Sequence, residues 1–153
     1  MDAPRVTCRA PGKLVVLGEY AVLNGAPAMV LAVDRYCRAA IGPSPDARCH
    51  LTSRTGEARV VSFEPGAGSG FAVVDAVVRS RPPVRPWSGV LDSGELFAGR
   101  VKLGLGSSAA ALTAWAGAWS GFAGRGEVPE PVALGVLVGL HRAMQGAAAR
   151  AAL

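Results

Sequence analysis

Lysine is almost missing from this chain: of its sixteen basic residues only Lys13 and Lys102 are lysine, and the rest are arginine. A composition so skewed keeps lysine where a compact ammonium is needed and a broad guanidinium does not fit. The arginines are scattered singly from Arg5 to Arg150, with no basic run and no interleaved aromatics, so the net charge of +5 does not describe a nucleic-acid surface. A mildly basic surface suits phosphorylated metabolites better. Cysteine is sparse as well. Cys8, Cys37 and Cys49 form no C-x-x-C pair and leave an odd one over, which argues against a disulfide framework or a metal site and for reduced, buried or half-buried thiols in a cytoplasmic protein. His50 has no second ligand at metal spacing. No basic segment followed by an apolar core opens the chain, so no signal peptide is expected. Long Leu and Ile runs are lacking too. The uncharged stretch from Leu103 to Gly124 is long enough to cross a bilayer, but it is rich in Gly, Ser and Ala. Its apolar bulk forms a stripe of Leu112, Trp115, Ala116 and Trp119, as in a helix buried on one side.

What is present is a chain of 153 residues, half of them hydrophobic, which suits one domain with a real core. Its organising stretch is Val101-Lys-Leu-Gly-Leu-Gly-Ser-Ser-Ala-Ala110, a glycine turn running into a long helix of small residues. Gly104 and Gly106 allow consecutive N–H groups to converge on one point, which favours an anion. Ser107 and Ser108 stand at the helix start, where their hydroxyls cap free N–H groups or reach a phosphate-bound cation and the helix dipole adds positive potential. No Gly-Lys-Ser/Thr closes the turn and the Rossmann spacing is absent, so it is a phosphate cradle of another kind.

In chain order, Thr7 to Ala10 and Lys13 to Leu17 read as strands separated by a Pro11-Gly12 turn, with Val15 to Leu17 apolar enough to be central in a sheet. Glu19, just past the exit at Gly18, is a candidate carboxylate near a site. Ala28 to Val33 reads as a buried strand and Arg35 to Ile41 as its hairpin partner; Arg48 to Arg54 and Arg59 to Phe63 form a second, polar-faced hairpin around Thr55-Gly-Glu57. Ser69 is placed to cap a helix from Gly70 to Arg79, and the segment from Arg79 to Pro86 is a stiff, proline-rich linker. Trp87 to Leu91 is a strand, and a short strand from Phe97 to Leu103 delivers the chain to the cradle. After the long helix, Gly124-Arg-Gly126 closes one element and Pro129 to Pro131 opens a helix from about Val132 to Gln145. Its expected apolar face is Leu134, Leu137, Val138 and Leu140, with His141, Arg142 and Gln145 at its C-terminal end.

Two stretches together carry a resemblance. Ala10-Pro-Gly-Lys-Leu-Val-Val-Leu-Gly-Glu-Tyr-Ala-Val-Leu-Asn-Gly25 resembles the N-terminal signature of the GHMP small-molecule kinases, and Lys102-Leu-Gly-Leu-Gly-Ser-Ser-Ala-Ala110 resembles their ATP-phosphate loop. Gly18-Glu-Tyr20, Lys102 leading into the loop, and His141-Arg-Ala-Met-Gln-Gly146 look most like the phosphomevalonate kinase branch; mevalonate kinases, next in likeness, usually show His where Tyr20 stands. The resemblance implies an α+β fold with a left-handed βαβ unit shared with a ribosomal-protein domain. It implies a mixed or antiparallel sheet with helices on one face, and residues 1–153 as the N-terminal, ATP-binding domain of a two-domain enzyme. It implies transfer of the ATP γ-phosphoryl group to 5-phosphomevalonate, with Mg²⁺, in isoprenoid precursor synthesis. By position it implies Lys13 at the acceptor phosphate or transferring group, Glu19 and Tyr20 on the acceptor side, and Ser108 facing Mg²⁺. The loop from Lys102 through Gly104, Leu105, Gly106, Ser107 and Ser108 to Ala109 would hold the ATP phosphates.

The family continues after such a C-terminal helix into a glycine-serine-glycine turn carrying an Asp; here Ala147-Ala-Ala-Arg150 stands instead, and the resemblance therefore leads to the expectation of an enzyme without its second domain. Asp34, Asp46, Asp75 and Asp92 lie in other elements. Three readings follow: a kinase fragment with little turnover, a half-enzyme completed by a separate C-terminal chain, and a non-catalytic interaction module. A missing domain predicts apolar surface on the helices from Ser107 and Val132, and self-association.

Overall fold

A computed structural model describes residues 5–55, 57–83, 85–124 and 134–151. The expected turns at Gly56 and Gly126 and the helix start at Pro129 to Val132 lie outside the described residues.

The chain folds into a five-stranded mixed sheet with its helices packed on one face. In chain order the sheet strands are β1 (Val6–Leu17), β2 (Met29–Pro43), β3 (Cys49–Thr55), β4 (Glu57–Phe63) and β5 (Trp87–Asp92), arranged β1-β2-β5-β3-β4. Helix α1 (Ala72–Ser80) lies in the connection between β4 and β5, which returns β5 parallel to β3; every other neighbouring pair in this sheet is antiparallel. The two-residue strands β6 (Phe97–Ala98) and β7 (Val101–Lys102) pair as a small hairpin, after which α2 (Ser107–Ala123) and α3 (Leu134–Ala151) complete the fold.

Alternation along the strands turns Cys37, Ala39 and Ile41 of β2, Cys49 and Leu51 of β3, and Trp87 and Leu91 of β5 toward the helices, where all are buried. The thiols are free, Cys37 and Cys49 buried and Cys8 half-buried, and burial pushes Cys37 up to about 12. Opposite them, α2 presents Trp115 and Trp119, both within 1% of full burial. Trp87 meets these two edge to face, at centroid separations of 5.5 and 5.4 Å. Gly89 makes this possible: a Cβ there would stand 2.5 Å from Trp115 Cη2.

Several elements differ from the sequence expectation. The expected break at Pro11-Gly12 is a bulge within one continuous strand, β1, and the two strands expected at Ala28 to Val33 and Arg35 to Ile41 are likewise one strand, β2, which pairs with β1. Val15 to Leu17 is not central and Ala28 to Val33 is not buried. The pairing of β2 with β5 covers only Arg38 to Pro43, so beyond it residues 12–17 and 29–33 project as a two-stranded arm. Leu14, Val16, Leu17, Met29, Val30 and Leu31 on that arm are each 44–65% exposed. Helix α2 is buried around most of its circumference rather than on one stripe, because α1 and α3 cover the side that the sheet does not. Of the apolar surface expected on the two helices, α3 exposes Val136 and Val138, whereas α2 is covered and the larger exposed apolar surface lies on the arm. Met144 joins Leu137 and Leu140 against the core in place of Val138. Since α3 continues to Ala151, His141 and Arg142 lie mid-helix and not at its end. Helix α1 starts at Ala72, and Ser69 is used differently: its N–H and hydroxyl both donate to Asp75 Oδ1, each at 2.7 Å. No helix among the described residues is long and apolar enough to cross a membrane.

Replacing Gly89 with Ala forces a methyl group into Trp115, and overpacking of this kind costs about 1–3 kcal/mol; urea unfolding followed by tryptophan fluorescence will show the midpoint fall. Charged substitutions on the arm, Leu17→Glu and Leu31→Glu, remove apolar surface already in water, so unfolding is expected to move by no more than about 0.5 kcal/mol. Sedimentation velocity is expected to show less self-association than in the parent chain.

Candidate phosphate-binding site

The bulge in β1 sets the geometry. Immediately after it, the backbone N–H of Lys13 donates to the carbonyl of Leu105 at 2.8 Å, joining the first strand to the glycine turn far along the chain. Gly104 and Gly106 take positive φ of 74° and 68°, the left-handed region in which a side chain is strained. At Gly106 space is also needed: a Cβ would lie 2.9 Å from Lys13 Cγ and 3.3 Å from Cε, so the lysine side chain runs directly across the glycine. The next residue, Ser107, begins α2. The first N–H groups of this helix have no carbonyl partner within it and, with the helix dipole, present positive potential at the turn that Lys13 crosses.

On another side of the same turn lies a cleft of about 400 Å³. Lys102 of β7 and Ser107 and Ser108 of α2 line it together with Ser53, Thr55, Phe71, Phe97 and Met144. Ser53 is 1% exposed and, among the described residues, its hydroxyl has no hydrogen-bond partner. A buried hydroxyl left unpaired is costly, so a ligand that enters the cleft and pairs with it gains by doing so. Sequence reading missed this residue. The available signal was a polar pair, Ser53 and Thr55, continuing the inward-facing register of Leu51.

The structure thus brings Lys13, Gly104, Leu105 and Gly106 together as one corner and places Lys102, Ser107 and Ser108 on the cleft. Ala109 faces the other way, onto a cavity of about 340 Å³ shared with Leu137, His141 and Arg142 of α3. Glu19 and Tyr20 are not brought to the glycine turn: they stand past the end of β1 at the tip of the arm, with Tyr20 78% exposed. Lys13 to Leu17 is about 13 Å of strand at the ordinary rise. Asp34 lies in the bulge of β2 opposite Gly12, where two extra residues separate the partners of Pro11 and Gly12. Among the described residues there is no cluster of three His, Cys, Asp or Glu side chains fit to hold a metal by themselves.

Glu95, between β5 and β6, ties this corner to the sheet. Its Oε2 accepts the backbone N–H of Tyr36 at 2.8 Å, its Oε1 pairs with Arg38, and its backbone carbonyl accepts from Arg35 at 3.3 Å. The Arg38 guanidinium first, and then the Tyr36 N–H, hold the Glu95 carboxyl below its ordinary value of 4.5.

No protein-family model matches this sequence, and no curated protein matches it. Solved structures do. The Lin0012 protein from Listeria innocua is 26% identical with a TM-score of 0.69, over 94% of this chain and 43% of that one. The Methanococcus jannaschii mevalonate kinase is 19% identical with a TM-score of 0.61, over 77% of this chain and 40% of that one. Streptococcus pneumoniae phosphomevalonate kinase in complex with phosphomevalonate and AMPPNP is 23% identical with a TM-score of 0.57, over 74% of this chain and 36% of that one. The chain shares its fold with part of each of these proteins, the two kinases included, and spans less than half the length of each.

Because the folded Glu95 carboxyl titrates below its ordinary 4.5, its contribution to stability is complete above about pH 4.5 and is lost as pH falls through the lower, folded value. Glu95→Gln removes this proton uptake. The acid limb of a melting-temperature profile measured below pH 4.5 is expected to be shallower in the variant than in the parent.

Proposed function

We propose that this chain is the nucleotide-binding half of a small-molecule kinase that transfers the γ-phosphoryl group of ATP to a phosphorylated acceptor, 5-phosphomevalonate, giving 5-diphosphomevalonate. The observation that carries the reading is Lys13 lying across Gly106 at the start of α2, its own N–H bonded to Leu105. A lysine, a left-handed glycine turn and a helix N-terminus meeting at one point make a receptor for polyphosphate. The solved phosphomevalonate kinase that shares the fold holds phosphomevalonate and AMPPNP. The Gly18-Glu-Tyr20 motif and Lys102 leading into the loop favour phosphomevalonate over mevalonate as the acceptor.

In this reading the nucleoside lies in the cleft beside Ser53 and Phe71, and the phosphates run past Lys102, Ser107 and Ser108 to the turn. The acceptor approaches from the β1 side along the arm toward Tyr20. Donor and acceptor then meet at Gly106 from two sides, as in-line displacement requires. The bond from the γ-phosphorus to the bridging oxygen of ADP breaks, and one forms to an acceptor phosphate oxygen. Lys13 neutralises charge on the transferring group, and the amides of residues 104–108 hold the leaving phosphates. The Ser108 hydroxyl, on an exposed residue that lines the cleft, fits a place beside Mg²⁺. Since the described residues hold no cluster of three metal-ligating side chains, the ion would be held mainly by the phosphates and by water, its charge offsetting theirs.

The other half found in the matched kinases is proposed to cover the apolar arm, whether it follows on the same polypeptide or comes as a separate chain. The half-enzyme reading is favoured over the interaction module because the phosphate corner is intact while the exposed apolar surface is concentrated beside it.

Titration calorimetry with MgATP tests the reading. The chain is expected to bind, and Lys13→Ala to weaken binding about 10- to 100-fold, the worth of one strong charge-assisted contact. Gly106→Ala is expected to weaken it comparably by displacing Lys13. Nucleotide affinity that is absent in the parent, or equal in all three proteins, would refute the proposal.

A further inference from the structure

The nucleotide turn is anchored at one end by Lys13 and, at the other, by a residue that belongs to no phosphate motif. The register of β1 on β2 jumps at the bulge, pairing Pro11 with Tyr36 but Gly12 with Val33. A bulge frees backbone groups from the ladder, and they must find partners elsewhere. At Tyr36 the N–H donates to Glu95 Oε2, while Arg38 on the same strand pairs with Oε1 and Arg35 in the bulge donates to the Glu95 carbonyl. Three groups of β2 thus grip one residue.

The grip is passed on. The neighbouring Leu96 is fully buried, with its Cδ2 packed so close to Gly12 that a Cβ there would lie 2.8 Å away. The Leu96 carbonyl accepts the N–H of Leu103 at 3.1 Å, and Leu105 then accepts the N–H of Lys13 at 2.8 Å. The segment from Glu95 to Leu105, which includes the β6–β7 hairpin and opens the glycine turn, is therefore clamped at both ends to the same two residues of β1, Gly12 and Lys13. We infer that Glu95 is a positioning residue: by occupying the bulge of β2 it holds the glycine turn in register with Lys13, so that the lysine crosses Gly106. This deepens the polyphosphate reading of the site, but its geometric part holds whether or not the ligand is ATP.

Amide hydrogen exchange by NMR on the ligand-free chain tests it, with the Ile41 and Leu51 amides in the central sheet as internal references. In Glu95→Ala the Lys13 amide is expected to exchange at least about tenfold faster while the references stay protected, and Glu95→Gln, which keeps an acceptor for Tyr36, is expected to retain most of the protection. Glu95→Asp keeps the charge but is one methylene shorter, and is expected to fall between them. Unchanged Lys13 exchange in Glu95→Ala, or acceleration of all amides alike, overturns the inference. Should the alanine variant fail to fold, the comparison of Asp and Gln variants decides by the same criterion. Calorimetry with MgATP on the same proteins is expected to follow the order of the exchange rates. A parent chain that binds no nucleotide refutes the kinase reading alone, because the exchange result stands apart from it.

Discussion

A single backbone hydrogen bond, from the Lys13 N–H to the Leu105 carbonyl, joins the two halves of the candidate site. Lys13 sits on an edge strand and Leu105 in a glycine turn, and neither element is otherwise part of the other's secondary structure. The bond fixes where the lysine leaves the backbone, and Gly106 leaves room for the side chain to run on over the turn. A side chain at position 106 would have to share that space, so the absence of a Cβ there is as much a part of the site as the ammonium.

The core supports this corner from below. Helix α2 carries the turn at its first residue, and the same helix is held by the edge-to-face contacts of Trp87 with Trp115 and Trp119. Alanines and glycines over much of its length let α1, α3 and the sheet approach it closely, so the helix axis and its N-terminus are set by packing from several directions. A preorganised anion site needs this, since a helix end that shifts with its ligand loses part of the binding energy in reorganisation.

The arm formed by residues 12–17 and 29–33 is built on the opposite principle. Apart from the Lys13 N–H, its two strands pair among the described residues only with each other, and both expose leucine, valine or methionine. A strand that is apolar on both faces reads as one buried on both faces, and here that reading fails because β5 ends opposite Arg38. The chain covers less than half of each matched protein, and the arm has no further strand partner inside the described fold.

Amino-acid order alone determined the local pieces: the alternating hairpin of β3 and β4, the strand from Trp87, the helical character of α2, and the turn at Gly104 to Ser108, since each depends on neighbours a few residues apart. The motifs at Lys13 and Lys102 also named the kinase fold before any contact was visible. Only the tertiary structure decided that Pro11-Gly12 is a bulge and not a turn, that Val15 to Leu17 stands at an edge, that Ser53 opens onto the cleft, and that Glu95 joins β2 to the glycine turn. These depend on which strand ends first and which backbone groups the ladder leaves unpaired. Such facts arise from pairing over long sequence separations, where periodicity carries no information.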